Sequence, residues 1–100
     1  MNRIYCLTET AKYALKMTME TCISKLKQGK KIKASSWKTL IVTGIFTHNN
    51  EEIITATDSR AMIYYFTVPE FRTRFSKIKN WKIVSSTEWK SFYEKLKTLK

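Results

Sequence analysis

Lys38–Val68 reads KTLIVTGIFTHNNEEIITATDSRAMIYYFTV, three runs of β-branched and aromatic residues separated by two short polar turns. The first run, Leu40 to Thr47, ends at His48-Asn49-Asn50-Glu51, where asparagine tolerates positive φ. The second, Ile53 to Thr57, ends at Asp58-Ser59-Arg60, and the third covers Ala61 to Val68. Connections this short join antiparallel neighbours, so the stretch predicts a three-stranded meander. Strict alternation sets Leu40, Val42 and Phe46 against Ile41, Thr43 and Ile45, and Tyr64 and Phe66 against Ile63, Tyr65 and Thr67. One face meets helices; the other, with threonines and Tyr65, is semi-polar. Gly44 inside the first run marks a bulge or a close backbone approach.

Upstream, Arg3–Leu7 is a short run of strand formers, and Thr8 stands as the cap of a helix expected over Glu9–Gln28. Its apolar stripe is Ala11, Leu15, Thr18, Cys22 and Leu26, and Gly29 supplies the stop. Downstream, Pro69-Glu70 opens a short helix to about Ser76, with Phe71, Phe75 and Ile78 inward. Trp81–Val84 reads as a further strand. Ser85-Ser86-Thr87-Glu88 is a capping-box pattern ahead of Trp89, Phe92, Tyr93, Leu96 and Leu99, an amphipathic helix over Ser86–Thr98 whose stripe is expected in the core. The order β-α-β-β-β-α-β-α predicts a single α+β domain over residues 1–100. Its sheet is mainly antiparallel, with helices covering one face.

The 100 residues carry 19 Lys and Arg against 8 Asp and Glu, a net charge of +11, with 43% hydrophobic residues. That is a globular composition with a strong attraction for polyanions. The charge is segregated. Residues 25–38, KLKQGKKIKASSWK, hold six lysines and no acid. Arg72, Arg74, Lys77, Lys79 and Lys82 follow one another with no acid between Phe71 and Thr87, whereas Thr39–Ser59 has no lysine or arginine. Lys25, Lys27, Lys30, Lys31 and Lys33 of the first run and all five cations of the second are the candidate phosphate contacts. Trp37 and Trp81 lie beside them, either as stacking platforms for bases or as core residues.

Conventional chemistry finds little material. Two glycines, Gly29 and Gly44, cannot build a glycine-rich phosphate loop. One histidine and two separated cysteines, Cys6 and Cys22, do not make a standard zinc site or a disulfide framework. No metal or other cofactor is expected, and neither is a membrane span, a lipid anchor or a secretory leader, which points to a reduced cytoplasmic setting. Small basic ribonuclease toxins work with Arg, Lys, Tyr and His, and His48, Arg60, Tyr64, Arg72 and Arg74 form the corresponding pool. The leading expectation is a non-enzymatic protein that binds DNA or RNA without strong sequence preference. The competing one is a phage-type regulator that docks on an acidic surface of a host protein through charge complementarity.

Overall fold

The computed structural model of the chain describes residues 17–99, so the strand expected at Arg3–Leu7 and the first part of the Glu9–Gln28 helix lie outside the described residues. Within them run α1 (Met19–Lys27), β1 (Ile32–Ala34), β2 (Leu40–His48), β3 (Glu51–Asp58), β4 (Ile63–Thr67), α2 (Val68–Arg74), β5 (Trp81–Ile83) and α3 (Ser86–Lys97). The five strands form one antiparallel sheet in the order β4-β3-β2-β1-β5. The α+β architecture and the meander are as the sequence predicts.

Local chemistry explains most element ends. Thr18 is extended, and its hydroxyl accepts the Thr21 N–H at 3.1 Å. The helix therefore starts at Met19 instead of running through Thr18, because the threonine side chain serves the backbone from a capping position. Gly29 ends it at φ +86°, with the Lys30 N–H on the Lys25 carbonyl and the Gly29 N–H on the Leu26 carbonyl, both at 3.0 Å. That is a Schellman closure. Asn49 and Asn50, at φ 52° and 64°, make the two-residue turn between β2 and β3. Asp58 organises the next turn: its carboxylate accepts the Arg60 and Met62 N–H groups and the Tyr64 hydroxyl at 2.8 to 3.0 Å. Thr67 and Glu70 cap α2 reciprocally, hydroxyl from N–H at 3.2 Å and carboxylate from N–H at 2.8 Å.

The core lies between one sheet face and α1 with α2. Cys22, Ile23 and Leu26 of α1 and Phe71 of α2 meet Ile32, Val42, Ile54, Ala56 and Trp81. Fully burying an aliphatic or Phe side chain stabilises by about 1.5–3 kcal/mol. Phe66, Phe71, Phe75, Trp37 and Trp81 pack with ring centroids 4.9 to 6.2 Å apart.

Three features depart from the sequence expectation. Ile32–Ala34, expected in a loop, is a strand held on both sides, by Val42 of β2 and by the whole of β5. The β2–β3 register shifts between Val42 and Gly44, so Thr43 is a bulge. One extra residue inverts the alternation beyond it: Ile45, opposite the buried Ile54, turns to the core, and Phe46 turns outward and is 44% exposed. Finally, α3 meets the opposite sheet face at its β1–β5 end and contributes no buried residue. Lys33 and its ladder partner Lys82 point to that face, while the neighbouring Ile32, Ala34 and Trp81 are buried in the core on the other side. The aromatic stripe of α3 is thus half open: Trp89, Phe92 and Leu96 are half-buried, and Tyr93 and Leu99 are exposed.

Candidate nucleic-acid interface

The β1–β5 ladder is what joins the two basic runs. It pairs Ile32 with Ile83, Lys33 with Lys82 and Ala34 with Trp81, and a Val84 N–H to Lys31 carbonyl bond of 2.8 Å extends it. Residues about fifty apart in sequence thereby bring their ammonium groups to one spot on the α3 face. Glu88, in the first turn of α3, sits between them, 3.0 Å from Lys33 Nζ and 3.3 Å from Lys82 Nζ. The hydrogen bond from Lys33, then that from Lys82, hold its carboxyl below the ordinary glutamate range against the opposing effect of burial. The Ser85 hydroxyl accepts the Glu88 N–H at 3.1 Å, so half of the expected capping box forms while the carboxylate goes to the two lysines. Lys31 Nζ lies over the Trp89 ring, 4.7 Å from its centroid.

Beside this cluster a groove of about 470 Å³ runs between α3 and the start of β2. Lys33, Lys38 and Lys95 are its cations, Thr39, Ser59, Thr87 and Ser91 bring hydroxyls, Phe92 brings an aromatic ring, and Ile41 lies among its apolar lining. Glu88 is its single acid. Cations and hydroxyl donors around one hollow can take phosphate oxygens. Sequence reasoning left Lys38 and Lys95 out of the candidate set. Lys38 stood at the end of a run already counted, and Lys95 looked like an ordinary outward helix residue.

The other expected contacts fall elsewhere. Lys30, Lys31, Lys33 and Lys82 belong to the β1–β5 side. Arg72 makes a two-pronged pair with Glu20, one contact of it at 2.9 Å, and Lys27 pairs with Glu52 at 3.1 Å, both on the side of α1 and α2. Such exposed pairs contribute about 0–1 kcal/mol and leave the cations partly available. Lys25 is half-buried on α1, and Arg74, Lys77 and Lys79 are exposed on and after α2. Lys79 and Lys82 border a broad hollow of about 830 Å³ with Met17, Met19 and Trp81. The ten residues thus occupy two sides of the sheet. Trp81 is 1% exposed and cannot stack on a base; Trp37 is edge-on to Trp81 and Phe75 and belongs to the same cluster.

The ribonuclease pool comes together only in part: Tyr64 and Arg74 line one hollow beside Asp58. His48 and Arg60 sit at opposite ends of β3, roughly 25 Å apart at the usual strand rise. Tyr64 donates its hydroxyl to Asp58 at 2.8 Å, which lowers the Asp58 carboxyl and raises the phenol from their ordinary values. Among the described residues no group of three His, Cys, Asp or Glu could hold a metal ion, and no helix is long and apolar enough to cross a membrane. Comparison of the chain with protein-family models, curated proteins and solved structures finds no match in any of the three.

Proposed function

We propose that this chain is a small non-enzymatic nucleic-acid-binding protein, and that it holds phosphates on the α3 side through Lys31, Lys33, Lys38, Lys82 and Lys95. The observation that carries this is the Lys33–Lys82 ladder pair, which brings one lysine from each acid-poor run together near a hydroxyl-lined groove. Phosphate contacts from flexible lysines position a polyanion without reading its sequence. The overall charge of +11 speeds and strengthens the encounter. A cytoplasmic setting suits Cys22, which is buried and has no disulfide partner among the described residues.

A second reading, docking on a host protein, draws support from β4, an edge strand among the described residues, where Ile63, Tyr64 and Tyr65 stand exposed, while the net charge of +11 is what would favour an acidic partner. The deciding experiment is a titration of labelled DNA and RNA between about 50 and 200 mM salt. Lys38→Glu with Lys95→Glu is expected to weaken binding at least tenfold and to flatten the salt slope by about 1–2. A flat salt response, or no effect of the double reversal, refutes the site. A stoichiometric protein complex that survives nuclease treatment favours the second reading.

A further inference from the structure

We infer that the open face of the sheet is a platform for unpaired bases, so that the ligand is single-stranded nucleic acid; this rests on the phosphate-binding surface proposed above. Among the described residues, the face away from α1 and α2 is covered by α3 alone, at its β1–β5 end. Across β2, β3 and β4 it carries Thr43, Phe46, Thr55, Thr57, Ile63 and Tyr65. Phe46 is 44% and Tyr65 61% exposed, and their rings meet edge to face at 6.4 Å. Phe46 is there only because of the Thr43 bulge. Exposed rings beside threonine hydroxyls suit base stacking with loose hydrogen bonding, a chemistry that tolerates any sequence.

Charge complementarity points to a polynucleotide as the occupant. Ile41, in the lining of the lysine groove, pairs with Thr57, and Thr57 pairs with Ile63. Two strand spacings, about 10 Å, therefore separate the groove from the Ile63–Tyr65 row. A strand whose phosphates lie on Lys38 and Lys95 reaches Tyr65 and Phe46 within a few nucleotides. In a duplex the base faces are already stacked on one another, so the rings gain nothing from it and only the lysines act.

The test measures affinity of the full chain for single-stranded DNA, single-stranded RNA and the matching duplex, for the wild type, Phe46→Ala, Tyr65→Ala and Tyr65→Phe. Both alanine variants remove exposed side chains, and a thermal melt verifies that each remains folded. The expected result is preference for single strands, a loss of at least about fivefold for each alanine variant on single strands only, and retention of affinity by Tyr65→Phe. The DNA and RNA arms show which sugar is preferred. Equal affinity for duplex, or single-strand binding indifferent to both alanines, overturns the platform while leaving the phosphate surface standing. Absence of binding to every nucleic acid overturns both, and a protein captured through Phe46 and Tyr65 in its place makes this face a protein interface.

Discussion

Replacing Glu88 by glutamine should weaken the fold and strengthen polyanion binding at once. The carboxylate joins α3 to β1 and β5, bridging Lys33, whose side chain is 14% exposed, and Lys82, at 43%. A hydrogen bond to a charged group contributes about 1.5–3 kcal/mol, and an exposed ion pair about 0–1. Glutamine keeps the shape and a weaker bond, so the net loss is about 1–2 kcal/mol, a Tm lowered by about 4–8 °C per kcal/mol. The pH dependence has a definite sign. The folded carboxyl lies below its unfolded value of about 4.3, so its stabilisation is complete above that value and is lost as pH falls through the depressed one. Urea midpoints read by tryptophan fluorescence should differ between wild type and variant at pH 7 and converge as acid protonates the Glu88 carboxylate in the folded chain. Freed of their counter-ion, Lys33 and Lys82 should steepen the logarithmic salt dependence of nucleic-acid affinity by about 0.7–0.9 per added phosphate contact. Equal urea midpoints at pH 7, or a gap unchanged by acid, would falsify the bridge as the tie of α3. Unchanged affinity at every salt concentration refutes the placement of these lysines in the phosphate surface.

Thr67→Ala removes the reciprocal cap of α2 and is expected to cost about 0.5–2 kcal/mol in chemical denaturation, with no change in the unfolding slope. Gly44→Ala should be tolerated or stabilise by about 0.4–1 kcal/mol, because its Cβ would meet only the Thr55 hydroxyl, at 3.8 Å; a loss above about 1 kcal/mol would show that the bulge demands glycine. Cys22 is fully buried and its thiol is pushed up to about 12, so alkylation followed by peptide mapping should find it protected in buffer and modified in urea.

The elements that were legible in the sequence are those whose chemistry closes within a few residues. Asn49-Asn50, Gly29, Pro69 and Ser85 mark their turns and caps by side-chain or φ requirements that no distant residue alters. β1 was hidden for the opposite reason. Ile32–Ala34 holds two apolar residues around a lysine, too short for a periodic signal, and its identity as a strand comes from β2 and β5 on its flanks. The bulge was half legible: Gly44 signalled an irregularity, but only pairing with Thr55 and Ile54 shows that Phe46 has changed sides.

The same long-range pairing decides what the charge means. Along the chain, Lys25 to Lys38 is one run, and a tally of lysines gives each an equal claim to a phosphate. In the fold, one step separates Ile32 in the core from Lys33 on the α3 face, while the helix places Lys27 beside Glu52 on the other side. A strand that alternates every residue and a helix that turns through a hundred degrees per residue divide one run between two surfaces. Charge reversal at Lys27 and at Lys38, identical in net charge, is therefore not equivalent. The first rearranges a half-exposed ion pair behind the core; the second strips a cation from the groove that leads to the open sheet face.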